Sequence, residues 1–137
     1  MIRQLSVSTR RQGLHSVTAE VAAVVEEAAI EEGLCTVFVQ HTSASLIIQE
    51  NADPSARVDL ENWLDRLVAE NDPLFTHTQE GADDMPSHIK SALTATSLSI
   101  PVVGGRLALG TWQGIYLFEH RARPHRRRVL MRVLSTD

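Results

Sequence analysis

Residues 97–120 read SLSIPVVGGRLALGTWQGIYLFEH. Ser97 to Val103, Arg106 to Thr111 and Ile115 to His120 are strand-like runs of aliphatic, β-branched and aromatic residues, separated by glycine-containing turns. Gly104-Gly105 is a hairpin signal, because both central positions of a tight two-residue turn need positive φ. Val129 to Leu134 supplies one more strand. Successive strands with no helix between them fold back as antiparallel neighbours, so this half of the chain is predicted to form a meander.

Towards the N-terminus the pattern mixes strand and helix. Ile2 to Ser8 alternates apolar and polar residues as a half-buried strand does, and Gly13 marks the loop after it. Ser16 is the expected cap of a helix in which Val17, Val21, Val24, Val25 and Ala28 recur at helical spacing and Gly33 offers the stop. Leu34 to Gln40 and Ser45 to Gln49 are two further strands, expected to pair as neighbours. Asp53-Pro54 opens a second long helix, with Asp as cap, Pro at the first helical position, and Val58, Leu64, Leu67 and Val68 on the apolar side. After a long polar loop, Asp84-Met85-Pro86-Ser87 repeats that logic, with Asp84 as the expected cap of a shorter helix to about Thr94. The predicted fold class is α+β, a sandwich of mainly antiparallel sheet with two long helices and one short helix.

Composition narrows the function classes. The 137 residues, 43% of them hydrophobic, suit one domain over residues 1–137. No apolar run approaches the ~18–20 residues of a membrane span. The start MIRQLSVSTRRQG lacks the apolar block of a secretory signal, and lone Cys35 sits in the apolar run LCTVFV, so a buried, inert thiol and a cytoplasmic location are expected. A formal net charge of -4 argues against nucleic-acid binding. Arg121, Arg123, Arg126, Arg127 and Arg128 form a local basic run, read either as a solvated face or as a phosphate-binding edge.

Three polar blocks carry chemistry. Gln40-His41-Thr42-Ser43-Ala44-Ser45 sits where one strand ends and the next begins, and can bind an anion or a metal or make an ordinary turn. In the block Glu80 to His88, Asp84 and His88 lie four positions apart at a helix start, so a carboxylate and an imidazole can meet one ligand, and free amides there favour a phosphate. In the strand ending Phe118-Glu119-His120-Arg121, alternation sends Glu119 and His120 to opposite faces. Each residue has a structural alternative: Asp84 as a helix cap, His41 and His120 as satisfied core histidines, Trp112 and Tyr116 as core or subunit contacts. His15, His77 and His125 have no supporting pattern, and HExxH, CxxC, GxSxG, GxGxxG and phosphate-loop motifs are all absent.

HTSASLIIQENADPSARVDL, EGADDMPSHIKSAL and GTWQGIYLFEHR closely resemble the signature stretches of the YjbQ-like family, over essentially the whole chain. The resemblance implies an α+β sandwich that assembles as a homotrimer, with histidines and an acidic residue holding a divalent metal or an anion between subunits. It also implies secondary thiamine-phosphate synthase activity, joining hydroxymethylpyrimidine diphosphate to thiazole phosphate with release of pyrophosphate. Carried over, the site residues are His41, Asp84, His88 and His120, as catalytic groups and as metal ligands, with Asp83 beside Asp84. Thr42, Ser43, Lys90 and Arg121 are the expected phosphate-binding partners of a small phosphorylated molecule. Zinc suits three histidines and a carboxylate better than magnesium, whereas diphosphate chemistry ordinarily uses magnesium. The alternatives are a metal-dependent hydrolase of a small phosphorylated or acyl compound, and a non-catalytic metal- or anion-binding trimer.

Overall fold

The computed structural model describes residues 1–136. In chain order the elements are β1 (Ile2–Thr9), β2 (Gly13–Ser16), α1 (Thr18–Ala28), β3 (Glu32–Val39), β4 (Ala44–Glu50), α2 (Pro54–Leu67), α3 (Asp84–Leu93), β5 (Ser97–Val103), β6 (Arg106–Leu107), β7 (Gln113–Glu119) and β8 (His125–Ser135). They build two antiparallel sheets, one of order β1-β8-β3-β5-β6 and one of order β2-β7-β4. This is the α+β sandwich of antiparallel sheet that the sequence predicts.

Alternation places the core between the sheets. Cys35, Val37 and Val39 of β3, Val129, Met131 and Val133 of β8, and Ile100 and Val102 of β5 face Leu46, Ile115 and Leu117 of the smaller sheet. Val21 and Val25 of α1 join the same cluster. The small sheet is covered on its other face too, where Tyr116 and Phe118 meet Leu14 and Leu64 of α2. Residues on both faces of β7 are therefore buried, with Glu119 and His120 at its end among them. The outer face of the large sheet carries the alternate residues of β3 and β8, and Phe38 and Leu134 remain 43% and 44% exposed there.

Several expectations are corrected. β3 and β4 do not pair; the chain crosses from one sheet to the other between them, because Val37 and Leu46 must face each other across the core. The late strands are not a simple meander: β5 and β6 form the Gly104-Gly105 hairpin, β7 moves to the small sheet, and β8 returns between β1 and β3. β6 covers only Arg106–Leu107. Gly13 opens a short strand rather than a loop. α1 has Val17, not Ser16, at its N-cap and ends at Ala29 in the left-handed region, while Gly33 lies inside β3 under the Leu134 carbonyl, where a Cβ would meet that oxygen at 2.0 Å. Asp83, not Asp84, is the N-cap of α3, whereas Asp53 caps α2 through the Ser55 amide.

One ion pair crosses the sandwich. Arg127 falls on the inner face of β8 and binds Glu119 at the end of β7, through Nη2 to Oε2 and Nε to Oε1 at 2.8 Å. Thr9 donates to Oε1 at 2.6 Å and the Arg121 amide to Oε2 at 3.1 Å. Burial alone would lift the Glu119 carboxyl; the bonds from Arg127 and Thr9 outweigh it and hold the group below its ordinary value. Removing one member of such a pair strands a buried charge. We expect Glu119→Ala to lose about 3–5 kcal/mol in urea denaturation, well beyond a surface carboxylate substitution.

Candidate metal centre

Loop 71–83 and the first turn of α3 bring three groups together. Asp84 is the first residue of α3 and is 2% exposed. His88, one turn later, projects on the same face, as i and i+4 positions do. His77 reaches in from the loop. Its Nε2 lies 2.6 Å from Asp84 Oδ2, and His88 Nε2 lies 3.2 Å from the same oxygen. The three ligand atoms all fall within 4.8 Å of one another.

Both partners are oriented from behind. Arg121 Nη1 donates to the other carboxylate oxygen, Asp84 Oδ1, at 2.6 Å, which turns Oδ2 towards the histidines. Arg121 also donates to the Glu80 carbonyl and faces Asp83, whose Oδ2 accepts the Ala122 amide at 2.8 Å. Burial would raise the Asp84 carboxyl, but the His77 bond and the charges of His88 and Arg121 keep it below the ordinary carboxylate value. His88 Nδ1 donates to the Thr42 carbonyl at 2.9 Å, since a carbonyl can only accept. In neutral His88 the Nε2 lone pair then points at a carboxylate oxygen, an arrangement that needs a cation between them. A metal-binding histidine is ordinarily held in this way, by its second nitrogen.

The donor set fits a divalent ion. Tetrahedral ligands at ~2.0–2.1 Å from zinc sit about 3.3 Å apart, so the His88–Asp84 separation already suits one and the His77–Asp84 contact must open slightly. Two imidazoles and one carboxylate favour zinc or a similar borderline cation over magnesium.

The other expected residues lie elsewhere. His41 Nε2 accepts the Arg128 amide at 2.8 Å and its Nδ1 lies 3.5 Å from Arg127 Nη1, so both nitrogens are occupied by the chain. Burial, then the charges of Arg127 and Arg128, push its imidazole below the ordinary value. Thr42 and Ser43 act through their carbonyls, the latter on Arg127 Nη2 at 3.2 Å. His120 is buried with Nε2 on Ser45 Oγ at 2.8 Å, and Lys90 is bound to Asp65 at 2.6 Å. The geometry thus joins Asp84 and His88 to His77 and leaves His41 and His120 outside the three-residue group.

A family model described as UPF0047 protein YjbQ-like matches residues 3–136. The chain belongs to the YjbQ-like family. Among its relatives, a UPF0047 protein of Synechocystis is 54% identical over 129 residues, covering 94% of this chain and 88% of the relative. UPF0047 protein YjbQ of Escherichia coli O157:H7 is 45% identical over 129 residues, 93% of either chain. Among solved structures, the conserved hypothetical protein TT1486 of Thermus thermophilus superposes with a TM-score of 0.85 at 36% identity, over 96% of this chain and 99% of that one. A YbjQ-like protein of Sulfolobus solfataricus gives 0.90 at 25% identity, over 98% and 96%.

Within this YjbQ-like fold, His77 is the residue that spacing could not reveal: it lies seven positions before Asp84 in a loop, with no helical or strand period to mark it. The length of that loop is the signal that pointed there, since long loops in compact domains carry function.

Burial, then the charge of Lys90, push the His120 imidazole down to about 3. An unfolded histidine titrates near ~6.5. Between those values the unfolded chain binds a proton that the folded chain does not, so the contribution is complete above about pH 6.5 and is lost as pH falls towards the folded value. We expect the stability gap between wild type and His120→Gln, followed by urea denaturation at stepped pH, to shrink by a few kcal/mol on that descent. A gap independent of pH would show that the fold does not discriminate against the charged ring.

Proposed function

We propose that the protein is a divalent-metal enzyme acting on a small phosphorylated compound, with thiamine phosphate formation as its reaction, a secondary one as the family resemblance implies. The observation that carries the reading is the convergence of His77 Nε2, His88 Nε2 and Asp84 Oδ2 on one point. A metal there supplies a Lewis acid for the charge that develops on phosphate oxygens. The chain's part is to hold it: Arg121 fixes the carboxylate, Thr42 fixes the His88 ring, and the Thr42-Ser43 segment offers hydroxyl donors beside that ring.

One observation favours the hydrolase reading as second. The two cations expected to meet a departing diphosphate are already engaged, Arg121 with Asp84, Asp83 and the Glu80 carbonyl, and Lys90 with Asp65. Water as the attacking group makes a smaller demand for such cations than an intact diphosphate leaving group does.

The reading includes a homotrimer in the cytoplasm. In support, Phe38, Leu134 and Ile2 are exposed on the large sheet, apolar surface of the kind subunits bury, and Cys35 is a free buried thiol. No helix among the described residues is long and apolar enough to cross a membrane.

Elemental analysis of the purified protein is expected to find about one zinc-like ion per chain, falling at least tenfold in His77→Ala and in His88→Ala, with thiamine-phosphate formation lost in parallel. Hydrolysis of either phosphorylated substrate alone, without coupling, would transfer the assignment to the hydrolase. Metal-free protein that turns over unchanged in both variants would end the metal reading. Light scattering is expected to give a mass of three chains, and Phe38→Asp to reduce it to one.

A further inference from the structure

The other side of α3 closes a second polar space. Lys90 follows His88 by two residues, so it leaves the helix on a different side from Asp84 and His88. It is 4% exposed. With Gln12, Glu61, Asp65 and His120, over the Phe118 ring, it lines a cavity of about 40 Å³.

The protons around His120 follow by elimination. Thr94 Oγ1 lies 2.8 Å from the Lys90 carbonyl oxygen and 2.5 Å from Ser45 Oγ, which lies 2.8 Å from His120 Nε2. The carbonyl can only accept, so the Thr94 hydroxyl donates to it. Ser45 must then donate to Thr94 Oγ1, and Ser45 Oγ in turn accepts from His120 Nε2–H. Every contact now holds one proton. In the neutral ring Nδ1 is left with a bare lone pair. It is enclosed, and no group of the described chain bonds it. Buried polar atoms are almost always bonded, and where protein does not serve, ordered water does.

We propose that this cavity is an internal water site, in which a water molecule donates to His120 Nδ1 and accepts from the Lys90 ammonium. Its second proton serves the carboxylate of Asp65 or Glu61. The lining selects that ligand by charge. Lys90 opposes a metal cation, while the lone pair and the two carboxylates oppose an anion, which leaves a neutral molecule able both to donate and to accept. Size agrees: a water needs roughly 10–15 Å³ of such space, so the cavity holds one to three and excludes a phosphate ester. Once filled, it links α2 through Asp65, α3 through Lys90 and Thr94, and β4 through Ser45. His120 is then a positioning residue that fixes the back of the helix whose front carries Asp84 and His88. The inference stands apart from the metal reading.

Long-range ¹H–¹⁵N spectra of the histidine rings test it on the intact protein. The expected result is one tautomer of His120, protonated at Nε2, with Nδ1 shifted from the free lone-pair position by an accepted hydrogen bond. A crystal structure is expected to show density within hydrogen-bonding distance of both Nδ1 and Lys90 Nζ. In Thr94→Val the proton order is broken, and a second tautomer, protonated at Nδ1, is expected to appear. Added zinc is expected to move the His77 and His88 signals and leave those of His120 in place. Protonated Nδ1 in the wild type, a free lone-pair shift, an empty cavity, or a His120 signal displaced directly by zinc would each overturn the proposal. Failure of His77 and His88 to respond would bear on the metal reading alone.

Discussion

The pair formed by Glu119 and Arg127 ties the two sheets together at the end where the chain crosses between them. Glu119 ends the central strand of the small sheet and Arg127 sits on the inner face of the strand between β1 and β3. Two charges facing a sandwich core are costly unless each is fully bonded. Here the carboxylate receives four donors and the guanidinium also reaches the Ser43 carbonyl. Apolar side chains would hold the sheets together without fixing that carbonyl. The pair therefore sets the path of residues 41–45, and through the Thr42 carbonyl it sets the ring of His88.

The same logic of a buried carboxylate governs α3. Asp84 is nearly as enclosed as Glu119, but its partners differ: one arginine and two imidazoles rather than one arginine, a hydroxyl and an amide. An arginine keeps its charge at all accessible pH, whereas the imidazoles can trade protons for a metal. Glu119 is thus committed to structure and Asp84 is left with one oxygen whose partners are exchangeable. His77, half-exposed at the edge of a loop, is the partner most readily moved, as opening the site to an ion requires.

Local pattern made some of this legible in the sequence. Asp53-Pro54 announced α2, Gly104-Gly105 announced a hairpin, and four-residue spacing paired Asp84 with His88. The fourth strand's departure to a second sheet has no local signature, because the residues of β3 and β4 satisfy the same alternation whether they pair or face each other across a core. β2 is four residues long and gains its partners only from β7, about a hundred positions away. His77 escaped for a related reason: a loop has no period, so nothing short of the folded path shows which of its side chains turns inward. The resemblance to a family drew attention to His41 and His120 with equal weight, and only the hydrogen bonds separate their roles from that of His88.

α3 is therefore a helix with two polar sides and different requirements on each. Its outer side must leave nitrogen and oxygen lone pairs turned towards one point, an arrangement unfavourable without a cation. Its inner side does the reverse, burying Lys90 against Asp65 and ordering hydroxyls of Thr94 and Ser45 into a single sense. A rigid back is what makes a strained front tolerable, since a helix free to rotate by a few degrees would separate Asp84 from His77 and relieve the crowding of acceptors. A buried lysine, a threonine and a serine, none of which touches the three-residue group, thereby become part of what keeps that group assembled.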